Sequence, residues 1–262
     1  MMRALNTAAT GMVAQQYNLD TIANNLANVN TTAFKQQRAE FQDLVYQTFR
    51  ASGANSGGSA RTPQAAQIGL GSRFAATSTS FSMGTIESSG EPMHMAISGQ
   101  GFFQIAMPDG STAYTRDGSF NIDATGQMVT VDGYLLEPNI VIPESAIAVS
   151  ISASGNVTAV LPGQDDPSQL GDIQLTMFPN PAGLTRMGQN LYRAGGGSGA
   201  PINVTPGEQG SGTVSQYFLE GSNVQIVEEM VRMIIAQRAY EINSKAIQTA
   251  DDMLGILNNL KR

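Results

Sequence analysis

The chain has 262 residues, a net charge of −7 and no cysteine; 41% of its residues are hydrophobic and only 13% are charged. This charged share lies well below the ~25% that is usual for a soluble protein, which favours surfaces that neighbouring molecules cover. The composition excludes a disulfide framework and a thiolate metal site, and it contains no basic patch for nucleic acid or an anionic membrane.

Residues 2–29 have the pattern of a helix. Their apolar side chains recur in alternating steps of three and four residues, which is typical of a coiled-coil face. The repeating positions are Leu5, Met12, Leu19 and Leu26, with Ala8, Gln15, Ile22 and Val29 between and after them. The segment lacks the continuous apolar stretch of a cleaved secretory signal, and no apolar run approaches the ~18 residues of a membrane span. We therefore expect an amphipathic helix that needs a partner, without a signal or a membrane span.

The end of this helix is rich in asparagine, with Asn24, Asn25, Asn28 and Asn30 among apolar neighbours. Asparagine is a poor helix former because its amide competes with the backbone for hydrogen bonds. A buried amide can nevertheless donate and accept without adding charge, and it can fix the register of packed helices. We interpret these amides as register-setting contacts and expect the helix to end at 30–32. The alternative is a polar face with a frayed end.

Residues 51–70 are rich in Gly, Ser and Ala and show little periodicity. This composition indicates either a mobile surface loop or an extended arm. Composition alone favours the loop.

Residues 80–200 alternate short apolar or aromatic runs with turn dipeptides. The dipeptides recur about every eight residues, the spacing expected of β-hairpins; they are Asp109-Gly110, Asp117-Gly118, Thr125-Gly126 and Asp132-Gly133. Residues 51–220 carry a charge of −8, so we expect this middle part to be solvated. The pattern predicts a compact all-β domain, followed by glycine-rich coil at 193–213.

The segment from Glu220 to Arg262 contains no proline and predicts a second long helix. Ser222 or Asn223 is the expected N-cap. The apolar stripe includes three consecutive steps of four, which locally alter coiled-coil supercoiling; its positions are Val224, Val227, Val231, Ile235, Ala239, Ile242, Ala246, Thr249, Met253, Ile256 and Leu260. Because a one-sided stripe needs a partner, we expect the stripes of the two terminal helices to pack on each other.

Few residues suggest chemistry. His94 is the only histidine of the sequence, and a catalytic triad or zinc site would need partners that this chain does not offer. The acidic residues at 117–128 lack the glycine and the glutamate of an EF-hand loop, and the chain has no glycine-rich nucleotide-binding loop. We therefore predict no catalytic, cofactor-binding or metal-binding residue, and no enzyme.

Several stretches resemble the flagellar basal-body rod and hook family. The family's N-terminal signature is similar to ATGMVAQQYNLDTIANNLANVNTTAFK, and its middle-domain motifs are similar to SGQGFFQI, PDGSTAYTRDGSF and DGYLLEP. Its C-terminal helix is similar to LEGSNVQIVEEMVRMIIAQRAYEINSKAIQTADDMLGILNNL. The matches run over nearly the whole chain in the family's order.

The resemblance implies an α+β fold, in which paired, coiled-coil-type terminal helices flank an extended arm and an all-β middle domain. It divides the chain into a helical core (1–30 plus 222–262), a connecting and arm region (31–78 plus 200–221) and a β-rich middle domain (79–199). It also reverses the interpretation of 51–70, because in the family this stretch is an ordered arm that reaches neighbouring subunits. The arm residues expected here are Tyr46, Pro63, Ile68 and Arg73.

The resemblance further implies a structural subunit of the bacterial flagellar rod. Chain length and the QRAYEINSKAIQTADDML segment favour the distal rod over its alternatives, the proximal rod and the hook. Such subunits are exported through the flagellar type III apparatus, assemble helically with copies of themselves into a hollow, stiff drive shaft, and carry torque from motor to hook. A cell-wall-acting β-domain with helices for multimerisation is the alternative from another class.

The implied location is the basal body, where the rod crosses the periplasm to the outer membrane. The implied partners are copies of the chain, proximal rod proteins, the hook protein and the P-ring and L-ring proteins, without nucleic acid. The expected assembly contacts on the first helix are Leu5, Met12, Leu19, Ile22, Asn24, Asn25, Leu26 and Asn28. Those on the last helix are Val224, Val227, Val231, Ile235, Arg238, Tyr240, Glu241, Ile242, Met253 and Leu260. Arg238 and Glu241 are spaced to pair on one helix face, either within a subunit or between subunits.

Overall fold

A computed structural model describes residues 2–50, 64–163 and 166–260 of the chain. Contacts divide the chain into two compact units. Unit 1 takes residues 1–27, 37–78 and 225–262, and unit 2 takes residues 28–36 and 79–224. The prediction of an α+β fold, with a helix at each end and a mostly β middle, is confirmed.

Unit 1 combines two long helices with two small β-sheets. The helices are α1 (Met2–Ala27) and α2 (Ile226–Leu260). One sheet pairs β1 (Gln37–Asp43) with β4 (Ser72–Thr79), and the other pairs β2 (Tyr46–Arg50) with β3 (Ala66–Gly69). The connection between β2 and β3 includes residues 51–63, so Pro63 lies outside the described residues.

The first helix ends at Ala27, earlier than the sequence predicts, and residues 28–30 form a turn. Thr31 donates from its backbone N–H to the Asn28 carbonyl at 3.2 Å and from its hydroxyl to Asn28 Oδ1 at 3.1 Å. Side chains of this kind favour turns because they bond the local backbone and each other. Asn28 therefore lies in unit 2, beyond the helix to which the sequence assigned it.

The last helix begins at Ile226, later than predicted. Neither Ser222 nor Asn223 is therefore its N-cap, and the prediction that Val224 belongs to the helix was wrong. Glu220 ends a β-strand, and the side chain of Asn223 binds backbone groups of two other segments instead of a helix N-terminus. Val224 is buried in unit 2, two residues before α2 begins.

The expectation that the two apolar stripes pack on each other was also wrong. The face of α2 that packs against α1 carries mainly small or polar side chains, among them Glu229, Ala236, Asn243 and Ala250. Gly11 of α1 lies so close that a Cβ there would stand 2.9 Å from Asn243 Nδ2. Small residues let two helices approach closely, and this leaves the Val and Ile stripe on the opposite face of α2.

Unit 2 is built from short antiparallel strands. The largest sheet has the order β16-β17-β8-β7-β11-β10-β9, and the smaller sheets have the orders β12-β13-β14, β15-β18, β19-β6 and β20-β5. The bounds are β5 Ile86–Ser88, β6 Met95–Ser98, β7 Phe103–Ala106, β8 Thr112–Thr115, β9 Asn121–Ile122, β10 Met128–Val129, β11 Leu135–Glu137, β12 Ala148–Ile151, β13 Asn156–Val160, β14 Ser168–Asp172, β15 Leu175–Met177, β16 Thr185–Gly188, β17 Leu191–Arg193, β18 Ile202–Val204, β19 Thr213–Gln216 and β20 Phe218–Glu220, with a 3₁₀ turn at Pro181–Gly183.

The core of unit 2 is apolar and is supplied by both ends of its sequence. Ile97, Phe103 and Leu136 are fully buried. Val204 joins them from the region that the sequence assigned to coil, 193–213, and Val214 joins them from the strand that follows it. Phe102, next to Phe103, points to the other face of the chain and enters a separate aromatic cluster. The segment 200–221 therefore contributes β18, β19 and β20 to unit 2.

The predicted β-hairpins form at Asp109-Gly110, Thr125-Gly126 and Asp132-Gly133, which connect β7 to β8, β9 to β10 and β10 to β11. Asp117-Gly118 does not form a hairpin turn. Gly118 lies against the backbone of Met95, where a Cβ would stand 1.5 Å from the Met95 carbonyl oxygen. The glycine is needed here for close approach of two backbones rather than for a turn.

Candidate functional site

The outer face of α2 is the most extensive exposed apolar surface on the described part of the helices. Val227 is 76% exposed and Ile242 is 66% exposed, and large apolar side chains between and beyond them are also exposed. The exposed residues are Val227, Met230, Val231, Ile234, Ile235, Tyr240, Ile242, Met253 and Ile256. A helix of 35 residues is about 52 Å long, so this stripe follows a large part of that length. Exposed apolar surfaces of this kind mark interaction sites.

The predicted assembly contacts on α1 are more buried than those on α2. Leu5, Met12, Leu19 and Leu26 are half-buried, and Ile22 is buried. Sequence reasoning missed Val13 and Tyr17, which are exposed on the same helix. Tyr17 stacks on Phe74 of β4, with ring centroids 4.9 Å apart, so the face of α1 that bears it also contacts a sheet of unit 1.

The asparagines at the end of α1 have different environments. Asn25 is 1% exposed, whereas Asn24 is exposed on the helix surface. The Asn25 amide donates to the Gln37 carbonyl at 2.8 Å and accepts from the Gln37 N–H at 2.9 Å. It also donates to Glu229 Oε2 of α2 at 3.1 Å, and Arg232 donates to the other oxygen of Glu229 at 3.1 Å. This network fixes the position of α2 against α1 and β1 inside unit 1.

Arg238 and Glu241 pair along one face of α2. The Arg238 Nη1 atom lies 2.8 Å from Glu241 Oε2, and their side chains are 74% and 52% exposed. An exposed pair three residues apart contributes little to helix stability. Both side chains therefore remain accessible to another molecule.

The β2–β3 ribbon presents large apolar side chains to solvent on both faces. Tyr46 and Ile68, two of the predicted arm residues, are exposed, and sequence reasoning missed the exposed residues Phe49 and Val45 beside them. These two residues could have been found from their apolar character beside a glycine-rich segment. Arg73 of β4 donates to Gln42 Oε1 of β1 at 3.0 Å and so lies in the neighbouring sheet. Pro63 and the side chain of Leu260 lie outside the described residues.

Within the described residues, no group of three or more His, Cys, Asp or Glu side chains is placed to hold a metal ion. No helix in the described part of the chain is both long and apolar enough to cross a membrane. His94, the candidate for catalysis that the sequence offered, takes part in a β-bridge with Ser119 through its backbone.

Three family models match the chain. "Flagella basal body rod protein" matches residues 5–35, "Flagellar hook protein FlgE/F/G D1 domain" matches 96–159, and "Flagellar basal body rod FlgEFG protein C-terminal" matches 215–260. Two of these matches cover most of α1 and α2, and the third covers strands of unit 2. The class of protein is therefore that of flagellar rod and hook proteins.

Full-length relatives narrow this class. "Flagellar basal-body rod protein FlgG" of Borreliella burgdorferi is 53% identical over 264 residues, covering 100% of both chains. The proteins of the same name from Agrobacterium fabrum and from Buchnera aphidicola subsp. Schizaphis graminum are 49% and 46% identical, each covering 99% of this chain and 100% of the relative. The chain belongs to the family of flagellar basal-body rod proteins FlgG. The family predicted from the sequence is thus confirmed, together with the expectations of a basal-body location and of a protein that is not an enzyme.

Proposed function

We propose that this chain is a structural subunit of the flagellar distal rod. Copies of the chain assemble helically into a hollow, stiff drive shaft that transmits torque from the motor to the hook. Family membership supports the rod, and the full-length match to relatives named FlgG favours this member over proximal-rod and hook proteins.

The observation that carries the proposal is the apolar outer face of α2. Because α2 uses its small-residue face to pack on α1, the Val and Ile stripe is available for other copies of the chain. A surface that meets a different surface on the next copy generates an open helical assembly when the rotation between copies does not close a ring. The proposed contacts on α2 are Val227, Val231, Ile235, Arg238, Tyr240, Glu241, Ile242, Met253 and Leu260.

The terminal helices form the inner, coiled-coil-type core of the shaft in this proposal, with residues 1–30 and 222–262 inside and the β-rich 79–199 outside. The steps of three and four in both helices support such packing. On α1 the proposed contacts are Leu5, Met12, Leu19, Leu26 and the exposed Asn24. Ile22, Asn25 and Asn28 act from inside the subunit, since each makes intrachain contacts that fix α1 or its end.

The β2–β3 ribbon is proposed as the arm that contacts a neighbouring subunit and stiffens the shaft. Tyr46 and Ile68 supply apolar contacts in an arm region limited to residues 37–78, because residues 200–221 contribute strands to unit 2. The exposure of the ribbon on both faces supports this role, since an isolated two-stranded ribbon has marginal stability in water.

The proposed partners follow from the position in the shaft. They are copies of the chain, proximal rod proteins below, the hook protein above, and the P-ring and L-ring proteins around the rod where it crosses the periplasm to the outer membrane. The flagellar type III apparatus is the proposed export route.

Electron cryomicroscopy of basal bodies from cells that lack this gene tests the proposal. We expect the flagellum to stop after the proximal rod, without a distal shaft or a hook, and restoring the gene should restore both. A complete shaft in the deletion strain would overturn the assignment to the distal rod.

A further inference from the structure

Unit 2 contains a cluster of buried charges that the assembly surface does not use. Lys35 Nζ lies 2.5 Å from Glu220 Oε1, and Arg116 Nε lies 2.8 Å from Glu220 Oε2. The side chains of Lys35 and Glu220 are 0% exposed and that of Arg116 is 2% exposed. Burying three ions costs several kcal/mol for each ion, so such a cluster is weak support for simple stabilisation.

The polar atoms of this cluster have hydrogen-bond partners. Glu220 Oε1 also accepts from the Gly84 N–H at 2.9 Å, and Lys35 donates to the Ser82 carbonyl at 2.8 Å. Arg116 donates to three carbonyls, at 3.0, 3.2 and 2.9 Å, which belong to Gly101, Ile97 and Gly99. Two cations share one carboxylate, and carbonyl dipoles offset the excess positive charge. A buried network in which every member is bonded defines one arrangement of its segments.

The cluster lies where the chain enters and leaves unit 2. The chain crosses between the units after residues 27, 36, 78 and 224. Lys35 lies one residue before the second crossing, Ser82 lies four residues after the third, and Glu220 lies four residues before the last. Arg116 is distant from every crossing in sequence, although not in space, since it directly follows β8.

Hydrogen bonds connect the same three segments outside the charged cluster. Asn223 Oδ1 accepts from the Gln36 N–H at 2.7 Å, and Asn223 Nδ2 donates to the Ser80 carbonyl at 3.0 Å. The Ser80 N–H donates to the Gln36 carbonyl at 2.9 Å, and the Ala33 N–H donates to the Glu220 carbonyl at 2.7 Å. Residues 33–36, 80–84 and 220–223 are therefore joined pairwise by side-chain bonds, and residues 33–36 also form backbone bonds with each of the other two segments.

We propose that Lys35, Arg116, Glu220 and Asn223 form a clamp that opens and closes as one cooperative unit. The clamp holds together the three segments through which unit 2 is joined to the rest of the chain, and Arg116 anchors them to the β-strands. In a torque-bearing shaft, load that reaches unit 2 along the backbone enters through these segments, and the clamp spreads it over the β-strands. This mechanical role rests on the proposed function, whereas the cooperative opening does not.

Amide hydrogen exchange of the isolated full-length chain tests the clamp. Arg116→Met removes a side chain that lies in none of the three segments and leaves three buried carbonyls without this donor. We expect exchange to become faster by about tenfold or more in residues 31–36, 79–86 and 217–224 together, because all three share one opening event. Arg193→Met, which removes an exposed arginine of the same unit, should leave these rates unchanged.

A second variant keeps the test decisive if Arg116→Met does not fold. Asn223→Ala removes bonds to the other two segments without touching a buried charge, and it should also speed exchange in all three. Asn139→Ala, at an exposed position of unit 2, is its control. Faster exchange confined to the substituted segment, or unchanged exchange in all three, would overturn the clamp. Because the isolated chain is measured, neither result depends on assembly into a rod.

Discussion

The side-chain amide of Asn25 donates a hydrogen bond to the Glu229 carboxylate across 204 residues of sequence, at 3.1 Å, where α1 meets α2. Asn25 and Glu229 are both essentially inaccessible to solvent. An amide is suited to this position because it can accept from the Gln37 backbone and donate to a carboxylate at the same time. This accounts for one asparagine at the end of α1, and a turn at Asn28 accounts for another.

Replacing Asn25 tests this role in the helix pair. Asn25→Ala should lower the free energy of unfolding of unit 1 by about 2–4 kcal/mol, because it leaves a buried carboxylate and two Gln37 backbone groups without this partner. Denaturant unfolding followed by far-ultraviolet circular dichroism measures the loss. Asn6→Ala, at an exposed position of the same helix, should change stability by less than ~0.5 kcal/mol. Equal stability of the two variants would contradict the role of Asn25.

Substitutions at two adjacent residues of α2 should separate an effect on assembly from an effect on folding. Ile235 is exposed and Ala236 is buried. Ile235→Ser should leave the free energy of unfolding of the monomer within ~0.5 kcal/mol of its original value while it prevents rods from forming. Ala236→Leu should instead destabilise the helix pair by about 1–3 kcal/mol through overpacking against α1. Thermal melting of the monomer and electron microscopy of basal bodies give the two readouts, and normal rods in the Ile235→Ser strain would contradict the proposed interface.

Arg238 provides a test of charge at the same surface. Within one chain its pair with Glu241 is exposed, so Arg238→Ala should cost the monomer no more than ~0.5 kcal/mol. A larger effect on assembly is expected, because a charge that loses its partner in a dry interface between subunits costs several times more. Motility and rod length measure this effect. Lys245→Ala, at another exposed position of α2, is the control, and normal assembly of Arg238→Ala would exclude Arg238 from the interface.

The stability of unit 2 should depend on the ionisation of Glu220. Burial, the largest single effect, raises the pKa of this carboxyl, but the charges of Arg116 and Lys35 and the hydrogen bonds from Lys35 and the Gly84 N–H together lower it below its ordinary value of 4.5. Since the folded-state pKa is the lower one, the ionised carboxylate stabilises the fold above pH 4.5, and this contribution is lost as the pH falls through the folded-state value.

The variant Glu220→Gln makes this dependence measurable. At neutral pH it should lower the free energy of unfolding of unit 2 by about 3–5 kcal/mol, because two buried cations lose their anion. The difference in the free energy of unfolding between the original chain and the variant should become smaller as the pH falls below 4.5. The chain contains no tryptophan, so near-ultraviolet circular dichroism of its seven tyrosines is a suitable probe. Glu144→Gln, an exposed substitution in the same unit, should change stability by less than ~0.5 kcal/mol, and a gap for Glu220→Gln that does not vary with pH would contradict the prediction.

Periodicity predicted the two helices and the apolar stripe of α2, because steps of three and four are a local signal. It did not predict which face of α2 meets α1. Hydrophobicity alone suggested that the Val and Ile stripe faces inward, whereas Ala236 and Ala250 allow closer helix approach and take that place. The beginning of α2 was missed because Asn223 has the character of an N-cap and bonds instead to distant backbone.

The buried charges of the clamp, which are Lys35, Arg116 and Glu220, had no signal that sequence reasoning could use. Lys35 lies 185 residues and Arg116 lies 104 residues from Glu220 along the chain, so no spacing rule for helices or hairpins joins them. Charged residues at such positions are ordinarily solvated, and only the fold brings them out of water.

The long segment of unit 2, residues 79–224, begins and ends side by side, since the Asn223 side chain binds the Ser80 carbonyl at 3.0 Å. Segments whose ends are close together can be inserted into another domain, or changed in length, without moving their attachment points. The β-strands between residues 84 and 218 can therefore gain or lose hairpins while the spacing of the two attachment points stays the same. Evolution and engineering can resize unit 2 independently of the helices, provided that the clamp is left intact.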